Sequence, residues 1–254
     1  MNRPRIITAP TVDAGTINVL GGIPAPNGIN QTPFTDTFTL SPRANWGPNW
    51  LPRCTLDTLV IGSGDLIANS VNPGGQWIQG PNAGSRNGEA LPLPLSWMIG
   101  QSLNQFVELT VGSVAVPAST NYGASVLWTP FYDAPRLSGT VAGSGGYLLT
   151  VIGATLQMAL VRTMFNDDGT LQQPYNVFGL GTIGNYTLGQ VVRVNVTIAA
   201  GIPTFTVIMN GVTVGAPTPD NNAQRTVIGC PAMAQFTSSN NAGPTISRFS
   251  GGRL

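Results

Sequence analysis

Glycine and proline interrupt this chain from end to end, and that punctuation limits what it can fold into more than any other feature. There are 32 Gly and 21 Pro among 254 residues. A helix interior loses about 1 kcal/mol for each Gly and about 3 kcal/mol for each Pro, so long helices are excluded. Between the breaks lie short runs of β type. Phe34-Thr35-Asp36-Thr37-Phe38-Thr39-Leu40 is rich in Thr and aromatics. Thr58 to Ile61 and Leu66-Ile67 read as short strands. Val107, Leu109 and Val111 alternate with Glu108 and Thr110, which puts the two sets on opposite faces of a strand. Residues 122–132, 147–152 and 155–163 read as three more strands. Val192, Val194, Val196 and Ile198 share one strand face, with Arg193, Asn195 and Thr197 on the other. Thr204 to Met209 and Val212 to Val214 flank Asn210-Gly211. That pair suits a type I′ hairpin turn, in which both central residues need positive φ. Residues 225–230, 232–237 and 244–250 supply the last strands, while 70–94 and 133–146 read as loops. About a dozen short strands, or slightly more, imply an all-β fold, an antiparallel two-sheet jelly-roll sandwich. It occupies residues 34–254. Residues 1–33 alternate Pro and Gly and form an extended N-terminal arm, able to reach roughly 110 Å. The arm is either a disordered tail or a segment that orders against a neighbouring subunit. Its apolar pieces, Ile6-Ile7 and Ile17 to Leu20, favour the second.

Missing residue types exclude most catalytic chemistry. Histidine and lysine are absent, and all 11 basic residues are Arg. Without His there is no Ser-His-Asp triad, no Cys-His pair and no histidine-ligated zinc or haem. Without Lys there is no phosphate-loop lysine and no Schiff base. The only Glu residues are Glu89 and Glu108, and the Asp residues are mostly isolated. A glycosidase needs two carboxylates across one bond, so the expectation is that the chain is not an enzyme. The all-Arg usage, with abundant Gly, Ala and Pro, suggests a GC-rich genome, and the Arg residues are scattered from Arg3 to Arg253 without a cluster. The net charge of +1 leaves no footprint for nucleic acid or an acidic membrane surface. No stretch approaches about 18 apolar residues, and Pro10, Asp13, Gly15, Pro24 and Pro26 break any leader-like segment. The expectation is a chain made in a cytoplasm. Cys54 and Cys230 read as two buried thiols or as one disulfide between an early and a late strand.

These strands resemble a known domain type. The opening Phe34 to Phe38, a Trp soon after (Trp46, Trp50) and the closing Ile246-Ser247-Arg248-Phe249 look like the paired first and last strands of a concanavalin A-like, laminin-G-like jelly roll. Gly146 to Leu149, Leu156 to Arg162, Gly189 to Val196 and the Thr204 to Gly215 hairpin resemble that domain's middle. Such domains occur in minor tail proteins of phages that infect GC-rich actinobacteria. The resemblance implies a virion component, assembled in the host cytoplasm and placed in the phage tail or tail tip. It would dock on other virion proteins through residues 1–33 and could bind a host-envelope glycan. A capsid decoration protein and a free glycan-binding lectin are the rival readings. Family glycan sites lie on the concave sheet or its rim loops, and family members often bind calcium. Asn166-Asp167-Asp168-Gly169 offers hard oxygen ligands of the kind calcium takes, through Asp167 and Asp168. The same residues read equally well as an Asp-Gly turn, and no other cofactor is implied.

Sugar recognition without metal uses aromatic faces with amide, carboxylate and guanidinium hydrogen bonds. Two clusters supply these groups: Trp77 with Gln79, and Trp128 with Tyr132, Asp133 and Arg136 ahead of the 133–146 loop. The competing reading is that a Trp in a sandwich is core, as assigned to Trp46, Trp50 and Trp97, unless it packs the arm. Gly179 to Gly184 spells a G-x-G-x-x-G string, but a strand rather than a helix follows, so it reads as a loop without a nucleotide. Only 8% of residues are charged, against about a quarter in ordinary domains. A face poor in charge is poorly protected against association, which points to a homo-oligomer within a larger particle.

Overall fold

The computed structural model describes residues 33–38, 49–54, 69–72, 76–79, 88–112, 120–129, 143–152, 157–166, 176–222, 225–237 and 246–254. They contain fifteen strands. In chain order these are β1 (Phe34–Asp36), β2 (Trp50–Cys54), β3 (Asn69–Asn72), β4 (Gln76–Gln79), β5 (Gly88–Pro92), β6 (Gln105–Val111), β7 (Thr120–Thr129) and β8 (Gly143–Ile152). Then follow β9 (Gln157–Asn166), β10 (Asn176–Asn185), β11 (Val191–Ala199), β12 (Ile202–Met209), β13 (Val212–Pro219), β14 (Cys230–Thr237) and β15 (Ile246–Arg253). One sheet has eight strands in the order β13-β12-β11-β6-β15-β4-β3, with β1 also paired to β15. The other has seven, β10-β9-β8-β7-β14-β5-β2. Every pairing is antiparallel. The chain crosses repeatedly between sheets, which makes the pair a jelly-roll sandwich.

The expected pairing of first and last strands is present: Thr35 faces Ser250 and Asp36 faces Phe249. Asp36 explains the local geometry, because its carboxylate accepts the Phe38 N–H at 2.7 Å and the Trp50 indole N–H at 2.6 Å. Those bonds gather Phe34, Phe38, Trp50 and Phe249 into one aromatic group, with Trp50 and Phe249 5.1 Å apart edge to face. The expected hairpin is also present. Asn210 and Gly211 have φ of 47° and 83°, and the Asn210 side chain accepts the Val191 N–H at 2.9 Å.

Three expectations are corrected. Residues 70–94, read as loop, carry β3, β4, β5 and a short 3-10 helix, Leu93–Met98. The strands are four or five residues long, too short for a periodic signal, and partners distant in sequence hold β4 and β5. The Gly179 to Gly184 string lies inside β10, where two register irregularities against β9 absorb it. Residues 225–229 are irregular, and β14 begins only at Cys230. Thr58 to Ile61, Leu66-Ile67 and residues 1–32 of the arm lie outside the described residues.

Two apolar layers hold the body. The inner layer lies between the sheets, with Val107, Leu109, Val192, Val194, Val196, Phe205 and Phe249 facing Ala124, Val126, Tyr147, Leu149, Leu160 and Met233. Each such burial contributes about 1.5–3 kcal/mol for a large side chain. The second layer covers the outer face of the seven-stranded sheet. There Leu148, Ala159, Val161, Cys230 and Ala232 pack with Leu91, Leu95, Trp97 and Met98. A bulge creates part of it. The β7–β8 register shifts between Val126 and Thr129, with Leu127 at φ 50°. Val126 and Leu127 both join the inner layer, so Trp128 turns to the outer one. Buried Gln105 fixes the bulge by accepting the Leu127 N–H at 2.9 Å and donating to the Gly229 carbonyl at 3.0 Å. A Cβ on Gly146 would come within 2.8 Å of the Leu127 oxygen, so only glycine lets β8 approach there.

The two cysteines are not joined. Cys54 pairs with Gly88, and Gly88 in turn with Gln235. Cys54 thus lies two strands away from β14, about 10 Å, and five residues along it from Cys230. A disulfide needs Cα atoms within about 7 Å. The Cys230 thiol is buried, 3.7 Å from the Trp128 carbonyl oxygen.

Candidate functional site

Val107 and Leu109 of β6, Val192, Val194 and Val196 of β11 and Phe205 and Val207 of β12 face inward, so the alternate residues of those strands form the outer face of the eight-stranded sheet. Antiparallel register places these in rows. One row runs Thr35, Ser250, Glu108, Arg193 and Ile208 across β1, β15, β6, β11 and β12. The next holds Phe106, Asn195 and Thr206, and on the other side Arg248 pairs with Thr110.

Glu108 is the centre of this face. Its Oε1 accepts a hydrogen bond from Arg248 Nη1 at 2.7 Å, while Arg193 Nη1 stands 4.0 Å from Oε2. Arg193 is held from two other directions. Its Nε donates to Asn195 Oδ1 at 2.7 Å, and its guanidinium lies 3.7 Å above the Phe106 ring centroid. Phe106 is buried beneath it. The side chains of Arg193, Arg248 and Glu108 are 31%, 42% and 17% exposed, so water and solutes reach both guanidinium groups. Neighbouring Thr35 and Ser250 share a hydroxyl–hydroxyl bond of 3.0 Å. The face therefore combines a carboxylate, two planar cations, an amide and hydroxyls on a rigid sheet.

A second polar cluster is closed to solvent. Tyr147 on β8 donates its hydroxyl hydrogen to Asp220 Oδ2 at 2.6 Å and accepts the Thr226 N–H at 3.2 Å. Asp220 Oδ1 accepts the Asn222 N–H at 2.9 Å. Arg162, opposite Tyr147 on β9, is also buried. Burial, followed by the bond to Asp220, holds the Tyr147 hydroxyl far above its usual pKa. Burial draws the Arg162 guanidinium below its usual value, against the pull of Tyr147 and Asp220. The Tyr186 hydroxyl, buried with no hydrogen-bond partner among the described residues, is pushed up to about 12 by desolvation.

The residues expected from sequence are separated by this architecture. Trp77 and Gln79 lie on β4 of the eight-stranded sheet, opposite Val71 and Asn69 of β3, and not in a loop. Trp128 belongs to the seven-stranded sheet, 1% exposed within the second apolar layer, so its ring is core there. Tyr132, Asp133 and Arg136 lie outside the described residues, as do Asp167 and Asp168. Among the described residues no group of three His, Cys, Asp or Glu could hold a metal ion, and no helix is long and apolar enough to cross a membrane. Trp50 and Trp97 are core, as expected. Arg193 and Arg248, scattered in sequence as read above, converge on Glu108 in the fold. The available signal was the polar side of two alternating strands, Glu108 with Thr110 and Arg193 with Asn195. What joins them is register, which sequence alternation does not specify.

No protein-family model matches the chain, and no curated protein matches it. Among solved structures the chain is similar to a legume lectin-like domain from Entamoeba histolytica, at 7% identity and a TM-score of 0.41, over 81% of this chain and 90% of that one. It is also similar to peanut lectin, at 10% identity and a TM-score of 0.38, over 87% and 96% of the two chains. A tail fiber protein from an E. coli phage aligns at 16% identity and a TM-score of 0.30, over 62% of this chain but 16% of that one.

Proposed function

We propose that this chain is a non-enzymatic virion component of a phage tail that binds a glycan of the host envelope. The observation that carries the binding part is the outer face of the eight-stranded sheet. Sugars are recognised by planar polar side chains that hydrogen-bond adjacent hydroxyls in pairs. Glu108, Arg193, Arg248 and Asn195 present that set on neighbouring strands, partly open to solvent. The opposite outer face carries the apolar layer of Leu148, Val161 and Ala232 and lacks such a set among the described residues. Low charge supports the virion part, since a chain with 8% charged residues is best protected when copies of it are packed in an assembly. Residues 1–33 would make the docking contacts.

Immunogold labelling of intact particles with antibody against this chain tests the placement. Gold at the tail tip is expected. Gold over the head would replace the tail reading with a decoration protein, and absence of the chain from disrupted particles would leave a free lectin. Glycan binding is tested separately, by retention of the purified chain on host envelope fragments. Loss of retention on Arg193→Ala with Arg248→Ala is expected, and unchanged retention would remove this face from the proposal.

A further inference from the structure

We infer that the face centred on Glu108 selects acidic saccharides, with a ligand carboxylate or phosphate seated between Arg193 and Arg248. This rests on the glycan-binding reading and narrows it to a ligand class. The argument is one of charge and donor geometry. Two guanidinium groups flank a single carboxylate from opposite sides, on β11 and β15, the strands on either side of β6. Strand spacing sets those two backbones about 10 Å apart. Glu108 engages Arg248 at 2.7 Å, but Arg193 at 4.0 Å is beyond hydrogen-bond distance. The patch therefore keeps an excess positive charge. Arg193 is also oriented in advance. Phe106 fixes the plane of its guanidinium and Asn195 fixes its Nε edge, while its two terminal nitrogens make no hydrogen bond among the described residues. A guanidinium held in this way loses little freedom when it grips two oxygens of one oxyanion, the pairing for which its fork is suited. A structural ion pair needs one cation for one carboxylate. The second cation, and the stacking that holds it, add nothing to such a pair.

The geometry also makes Glu108 a competitor. It occupies one guanidinium and repels an incoming anion, so neutralising it should strengthen binding rather than weaken it. A hydrogen-bonding site for neutral sugar predicts the reverse, because there the carboxylate is an acceptor for ligand hydroxyls.

The test uses the full chain and three probes: tetragalacturonate, its neutral methyl ester and a phosphomannan oligosaccharide. Calorimetry would follow the wild type, Arg193→Gln, Arg248→Lys and Glu108→Gln, with a thermal melt of each variant to confirm folding. The expected result is binding of at least one acidic probe and weak binding of the ester. Arg193→Gln should lower affinity by about tenfold, near the lower end for close charge pairs at interfaces, and Glu108→Gln should raise it about threefold, as for a solvent-exposed ion pair. Rising salt should weaken the acidic probe, since the site is exposed and screening acts within about 10 Å at 0.1 M. Arg248→Lys keeps the charge and loses the fork, so a partial loss is expected. Preference for tetragalacturonate would identify a carboxylate ligand, and preference for phosphomannan a phosphate. Equal affinity for ester and acid, with Glu108→Gln weakening both, would overturn the acidic selection and leave glycan binding standing. Failure of all three probes and of host envelope fragments would overturn both.

Discussion

The molecule contains two clusters built from the same chemistry, a carboxylate with arginine, and their surroundings give them different work. Glu108 with Arg193 and Arg248 lies on an outer sheet face and is reached by water. Asp220 with Tyr147 and Arg162 lies inside, where Asp220 is 3% exposed. In the interior each polar atom depends on its neighbours, because an unpaired buried group bears the whole desolvation cost. On the surface the same pairing contributes little, since water replaces whatever is removed. The inner cluster therefore fixes Asp220 and Thr226 against β8, and the outer one is free to exchange partners with a ligand.

The contrast predicts a graded series. Asp220→Ala leaves the Tyr147 hydroxyl and the Asn222 N–H without their acceptor and Arg162 without that carboxylate. A loss of about 3–5 kcal/mol in urea unfolding is expected. Alkali should act on the same interior. Unfolded tyrosines ionise at about pH 10, whereas Tyr147 and Tyr186 are raised by burial in the fold, Tyr186 to about 12. The folded state holds these protons longer, so their contribution is complete below about pH 10 and is lost as pH rises above it, at about 1.4 kcal/mol per unit for each group. Roughly 3 kcal/mol less stability is expected at pH 11, measured by denaturant midpoint. Tyr147→Phe should cost about 2 kcal/mol at neutral pH, because it strips a charged acceptor of its donor, and should halve that alkaline slope. Arg248→Gln should cost less than about 1 kcal/mol and show even less effect in high salt. If Arg248→Gln proved as damaging as Tyr147→Phe, the division between a structural and an exchangeable cluster would collapse.

Local geometry explains which parts of this were legible beforehand. The Asn210-Gly211 turn was readable because both residues must adopt positive φ, as both do. The alternation of Val192, Val194 and Val196 was readable because one face of β11 is core and the other is not. β10 was not, since glycines and register shifts remove any alternation. Short β3 and β4 carry too few residues to show a period. Trp128 misled because a bulge one residue earlier decides which face it takes. The outer cluster depends on the register of β6 against both β11 and β15. Asp220, between Pro219 and Asn221, looks like any turn residue, and its burial comes from Tyr147 many residues earlier.

The pairing of β1 with β15 has a consequence for synthesis. Thr35 and Ser250 are 215 residues apart in sequence and bonded in the fold. A nascent chain makes Phe34, Phe38 and Trp50 first, and Phe249, which completes their aromatic group, only about 200 residues later. Until then β1 lacks the strand it pairs with among the described residues, and its aromatic side chains stay available to other chains. Contacts this distant slow folding and lengthen exposure to aggregation. The larger sheet therefore closes only once β15 has been made, and premature termination anywhere before residue 246 yields a product that cannot complete it.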